Sequence, residues 1–284
     1  MRDTQVSMRR LVDQLSGLRR FDLAQSWRVG MPHHPTHPLY THSLTKLHGD
    51  FVRANGASSA GDAIALGTHT GTHIDALCHY SRDGKMHGGT EVAGLQDWSS
   101  GIARHGAETM GLMLRRGILL DVARLADRAA TDRDSPLDAE TGIDAELLAR
   151  AEEAAGARLE AGDVALIRSG WGRYWNESRR FINGMKLPGV TLDGARWLSG
   201  RGVCAAGSDT ASFEQMPSSL MEVHVHLLVE CGIHIMECLQ LEELSAAGVG
   251  EFLFVAAALK LEGATGAPLR PYALAEVDRG SDRV

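Results

Sequence analysis

The sequence predicts one α/β domain, and three observations carry that prediction. Short apolar runs of strand length, at residues 117–122 (GILLDV), 163–169 (DVALIRS), 203–206 and 233–236, alternate with segments of helical period at 144–155, 191–199 and 220–231. Such alternation places strands under helices. The composition is that of an ordinary globular chain, with 44% hydrophobic and 23% charged residues over 284 positions, long enough to bury a substantial core. Finally, no internal repeat, low-complexity tract or clear linker divides the chain.

Composition also excludes several classes of function. The net charge is −7, and lysine and arginine form only short pairs, which argues against a nucleic-acid partner. The N-terminus, MRDTQVSMRR, has no apolar run of the kind a secretory signal needs. No stretch of 18 uninterrupted apolar residues is present, so no membrane span is expected. Cys78, Cys204, Cys231 and Cys238 are scattered in apolar surroundings, which predicts reduced thiols and a cytoplasmic protein.

In chain order, residues 4–20 carry Met8, Leu11, Val12, Leu15 and Leu18 at helical spacing. They read as a helical N-terminal arm over 1–21, ahead of a single domain at 22–284. Residues 22–29 read as a strand, and 30–40 (GMPHHPTHPLY) as a proline-punctuated loop holding His33, His34 and His37. Residues 64–66 lead into the central motif, and 81–89 form a polar, glycine-rich loop. Residues 123–142 read as a variable surface segment. Thr141-x-x-Asp144 has the form of a capping box for the helix that follows. Gly170-Trp171-Gly172 ends the strand at 163–169, and Asp209 reads as a helix cap. Residues 251–261 (EFLFVAAALKL) read as a long apolar strand.

The chemistry concentrates in residues 67–80, GTHTGTHIDALCHY, where His69, His73, Asp75 and His79 follow the pattern H-x3-H-x-D-x3-H. Imidazole and carboxylate together suit zinc, manganese or ferrous iron. In a straight strand His69 and His73 would stand about 13 Å apart, at about 3.3 Å per residue. Ligand bonds of about 2 Å cannot bridge that distance. A regular helix would join the two histidines but turn Asp75 away. The backbone must bend, and Gly71 is where it can. A strand breaking at Gly71 into a ligand-bearing loop is therefore expected. A lone histidine is usually a core or capped residue, but four ligand-type groups around one glycine point to a metal. Cys78, next to His79, is a candidate nucleophile or extra ligand set against a plain buried thiol.

The stretch HTGTHIDALCHY resembles the H-T-G-T-H-x-D-x-x-x-H signature of the metal-dependent cyclase family. The resemblance implies a swivelling β/β/α domain with a partly closed central β-barrel. It implies that His69, His73 and Asp75 bind the metal and that His79 is the catalytic acid/base. It also implies that the 30–40 segment, with His37, and the aromatic Trp171 face the substrate. The stretch VHVHLLVECGIHIMECLQL resembles the family's second signature, H-x-x-L-L-x-x-x-G-I-x-I-x-E, and puts its histidine on His224 and its carboxylate on Glu237. His226 lies about 200° around a helix from His224, so both cannot face one ion. His234 alternates with Ile233 and Ile235 and is expected to face solvent.

The expected activity is metal-dependent hydrolysis of a small cyclic amide, lactone or formamide, with one or two divalent ions, zinc or manganese. Two histidines and an aspartate leave coordination positions open, as catalytic sites do. His79 would exchange the proton of the attacking water. No G-x-S-x-G nucleophile elbow is present. The expected partners are a small-molecule substrate and further copies of the chain, as a homodimer or dimer of dimers. The alternatives are a cyclase or lyase using the same groups, and a non-haem iron oxygenase built on His73-x-Asp75. A non-catalytic metal-binding protein would not need His79.

Overall fold

A computed structural model describes residues 7–125 and 135–277. Its centre is a mixed sheet of β1 (Arg19–Asp22), β2 (His73–Asp75), β3 (Met113–Asp121), β4 (Val164–Arg168), β5 (Ala205–Ser208), β6 (His234–Glu237), β7 (Glu251–Ala256), β8 (Gly266–Pro268) and β9 (Tyr272–Ala275). The nine strands lie in the order β1-β9-β7-β3-β4-β5-β6-β2-β8. β3, β4, β5 and β6 are mutually parallel, and the flanking pairs are antiparallel. The sheet curls into a half-barrel. The expected α/β class is the observed one.

The parallel strands read as continuous apolar runs because both of their faces are covered. Ile118, Leu120, Ala165, Ile167 and Ala206 pack under the helices Ala145–Ala155, Leu192–Arg201 and the turns at Val225–Cys231. Leu119, Val164, Leu166 and Ala205 point the other way, against Phe21, Leu244, Phe252 and Phe254. Arg168 ends β4 fully buried, with Nε and Nη2 on the Glu242 carboxylate at 2.8 and 2.9 Å and Nη1 on Asp121 at 2.9 Å.

Several boundaries differ from the sequence reading. The first strand is Arg19–Asp22, and of the expected 22–29 strand only Asp22, paired with Tyr272, and Ala24, bridged to Leu239, take part in the sheet. Arg19, Arg20 and Phe21, within the expected arm, pair with Ala275, Leu274 and Ala273. The helix of that arm is Met8–Ser16, which buries none of its residues. The helix at 144–155 is capped by Asp144, whose carboxylate accepts from the Leu147 N–H, while Thr141 donates to the Asp138 carbonyl. The capping box was misplaced by one turn. Within the expected surface segment 123–142, residues 126–134 lie outside the described residues. Leu137 is buried, and Gly142–Ile143 pairs in parallel with Gly189–Val190. The apolar strand at 251–261 ends at Ala256. The segment at 220–231 is helical, as a short α-turn Glu222–His224 running into a π-helix over Val225–Cys231.

Candidate metal centre

β2 is three residues long and lies between β6 and β8. Strand alternation puts His73 and Asp75 on one face and sends Ile74 into the core. The ladder to β6 sets Glu237 opposite His73, and the ladder to β8 sets Gly266 opposite Asp75. The bend lies where the spacing required one, but in the opposite sense. The strand Gly61–Ala65 ends first, a turn carries His69, and extended structure resumes at His73. Gly71 has φ +69°, and a Cβ there would strike the Trp27 indole. Both the conformation and the close approach require glycine.

His73 is 2% exposed. Its Nδ1–H donates to the Gly71 carbonyl at 2.8 Å, which leaves a lone pair on Nε2. That nitrogen is buried and has no hydrogen-bond partner among the described residues. It sits 3.5 Å from Asp75 Oδ1 and 3.6 Å from Glu237 Oε2. His69 Nδ1 is 2.7 Å from the same Asp75 oxygen, and its Nε2 is 2.8 Å from Thr265 Oγ1. The His79 ring stacks on His69 at 3.9 Å between centroids. His224 Nε2 is 3.3 Å from Glu237 Oε1, which also accepts the Phe213 N–H at 2.7 Å. Two tight groups of potential ligand atoms share Asp75, namely His69, Asp75 and His79, and Asp75, His224 and Glu237; His73 falls in neither, its Nε2 lying near the carboxylates of Asp75 and Glu237.

Asp75, Glu214 and Glu237 are all buried, and every ion pair they make among the described residues is to a histidine. Buried carboxylates require compensating charge. Together with an orphaned imidazole lone pair, this donor set fits a divalent cation. The local pKa values reflect the same crowding. Burial pushes His79 down to about 3, and His69, His224 and His73 add to the effect against Asp75. Burial would raise Asp75, but the histidines around it hold it well below the usual carboxylate range. Burial would lower His73 and His224, yet their carboxylate neighbours win, and His224 rises to about 10.

Residues 21–215 match the family described as "Putative cyclase". The chain belongs to the cyclase family. The matched segment contains the first histidine cluster and stops short of His224 and Glu237. Among relatives, isatin hydrolase of Roseibium aggregatum is 27% identical over 230 residues, covering 78% of this chain and 77% of that protein. Kynurenine formamidase of Geobacillus thermodenitrificans is 27% identical over 207 residues, covering 73% of this chain and 76% of that protein. A solved structure described as a novel cyclase superposes with a TM-score of 0.81 at 26% identity, covering 94% of this chain and 93% of its own.

In this cyclase-family chain the fold brings His69, His73, Asp75, His79, His224 and Glu237 together. His37 reaches the same place, with Nδ1 3.3 Å from the His69 carbonyl oxygen and its ring 5.6 Å from the His69 ring. Trp171 does not join them. It is buried among Met31, Trp175, Phe181 and Leu187 and donates its indole N–H to the Phe181 carbonyl, so it offers a ligand no free polar atom. His226 turns away to Glu230 and Ser199, which leaves His224 as the inward histidine. His234 is not solvent-facing. It is partly buried, with Nδ1 2.8 Å from the Asp75 carbonyl oxygen, because β2 covers the edge of β6. No helix starts at Asp209; it accepts from the Ser169 N–H and hydroxyl and from the Gly172 N–H in the first turn of the short helix Trp171–Asn176, holding the turn after β4. Sequence reasoning missed Glu214 and Thr265, since neither sits in a motif. A cleft of about 600 Å³ lined by Asp22, Gln25, Trp27, Pro268, Leu269 and Arg270 lies beside β2, with Trp27 against Gly71 and Pro268 paired with His73.

Proposed function

We propose that this cyclase-family enzyme is a metal-dependent hydrolase that opens a small cyclic amide or lactone, or cleaves a formamide. The observation that carries the reading is the buried, partnerless Nε2 of His73, aimed between Asp75 and Glu237. His69, His73 and Asp75 would hold a zinc or manganese ion, and His224 and Glu237 would complete that set or hold a second ion through the shared Asp75. Such an ion, when bound, polarises a carbonyl and lowers the pKa of its water from about 15.7 to about 7.

The chain's own groups supply the rest. His79 offers a ring nitrogen within 4.8 Å of an Asp75 oxygen, whose charge favours a protonated ring, so the ring can take a proton from the attacking water and return it to the departing nitrogen or oxygen. Stacking on His69 fixes the plane of that ring. His37, whose ring lies 5.6 Å from the His69 ring, would contribute to the substrate-facing wall. The relatives named isatin hydrolase and kynurenine formamidase support a hydrolase, and the second supports a formamide.

The test is a panel of formamides, cyclic imides and lactones, run on protein loaded with zinc or manganese and on chelated protein. Turnover should require the metal, and solvent ¹⁸O should enter the product carboxylate in the first turnover. A product without solvent oxygen would transfer the protein to the cyclase or lyase class.

The same reading includes a homodimer or dimer of dimers in the cytoplasm. The antiparallel ribbon Thr41–Lys46 with Gly61–Ala65 exposes Leu44 and Ile64, and Phe51 at its tip is 79% exposed. An isolated two-stranded ribbon is marginal in water, which favours a covering partner. Cys78, Cys204, Cys231 and Cys238 are all free thiols, as a reducing compartment allows. Light scattering on the full chain decides the assembly, and a monomeric mass would remove it.

A further inference from the structure

Phe213 and Glu214 are neighbours that hold the two halves of the second ligand group. The Phe213 N–H donates to Glu237 Oε1 at 2.7 Å. Glu214 Oε2 accepts from the His224 backbone N–H at 3.3 Å and lies 3.0 Å from His224 Nδ1. Its other oxygen accepts the Ser218 hydroxyl at 2.8 Å, and Glu214 is 4% exposed. The segment is itself pinned: Val190 N–H donates to the Phe213 carbonyl at 2.9 Å and Gln215 N–H to the Val190 carbonyl at 3.1 Å. A Cβ on Gly189 would overlap the Glu214 backbone, so the two strips lie in close contact.

We infer that Glu214 is a positioning residue that fixes the tautomer of His224 in the metal-loaded protein, keeping the ring proton on Nδ1 so that Nε2 is the atom left for the metal. The inference rests on the metal-centre reading above. A carboxylate on the far nitrogen of a ligating histidine orients the ring and raises its basicity, and its loss typically costs about 10–100-fold in metal affinity. Nothing in the local sequence SFEQMP marks Glu214. Its role follows from where the loop after β5 meets the helical turn at Glu222–His224. A merely structural buried pair would lower the melting temperature when broken, without changing the tautomer or metal affinity of the folded protein.

The experiment uses the full chain and Zn²⁺. In the zinc-loaded wild type, long-range ¹H–¹⁵N spectra of the histidine rings should show His224 protonated on Nδ1 and not on Nε2. By calorimetry, Glu214→Leu should bind zinc about 10–100-fold more weakly, and Glu214→Gln, which keeps an acceptor oxygen, should recover most of that loss. An Nε2-protonated His224, or a folded Glu214→Leu protein with wild-type zinc affinity, overturns the inference. If the leucine variant does not fold, the tautomer in the wild type and the glutamine variant decides. A wild type that takes up no zinc overturns the metal-centre reading itself, and the inference with it. Zinc uptake with the wrong tautomer overturns Glu214 alone.

Discussion

Glu237 stands opposite His73 across the antiparallel pairing of β6 with β2, its Oε2 3.6 Å from the partnerless His73 Nε2. Two distant stretches of chain thus meet through one register of the sheet. His73→Ala should therefore lower metal content and activity together, and Glu237→Gln, which keeps the shape and drops the charge, should weaken both less. Elemental analysis beside turnover measures this. Full metal occupancy in His73→Ala would remove the histidine from the ligand set.

His79 should separate from the ligands in its behaviour. It stacks on His69, and among the described residues no hydrogen bond engages its ring nitrogens. His79→Ala should keep its metal and lose at least about 10² in kcat, the low end for acid/base catalysis. Metal loss in step with activity would make His79 a ligand instead.

Cys78 should be dispensable. It is 4% exposed, its Sγ–H points at the Ala264 carbonyl, and burial pushes the thiol up to about 11. A reactive cysteine needs the thiolate. Cys78→Ala should retain most activity, and intact-mass spectra during turnover should show no adduct. A covalent species on Cys78 would make the enzyme a thiol hydrolase.

The metal-free protein should lose stability as the pH rises. His224 is held up at about 10 in the fold, where burial is outweighed by Glu214 and Glu237, against about 6.5 unfolded. Between those values the folded chain binds the extra proton, so this stabilisation is complete below about pH 6.5 and gone above about pH 10. His79 acts only below that window, because its folded value is about 3. Urea midpoints of chelated protein should fall from pH 7 to pH 10, and less steeply in His224→Gln. Equal slopes in both proteins would show that His224 does not carry the proton.

The sequence by itself determined the α/β class, the positions of the central strands and the membership of the first histidine–aspartate cluster. Those features are local. His73 and Asp75 share a face because strands alternate, the helix after Asp144 follows from its period, and His69, His73, Asp75 and His79 lie within eleven positions whose spacing demands a bend near Gly71. The second signature carried His224 and Glu237 only through family resemblance, and the register of β6 on β2 makes the contact. What the tertiary structure alone decided concerns groups that meet across the sheet. His234 braces the Asp75 carbonyl instead of facing water, Asp209 holds the turn after β4 instead of starting a helix of its own, and Trp171 is spent in the core. Thr265 meets His69, and Glu214 meets His224, from segments with no motif of their own. The physical reason is range. Periodicity and turn chemistry act over a few residues, whereas a buried polar atom finds its partner wherever strand pairing and packing bring one, and the chain's order does not encode that distance.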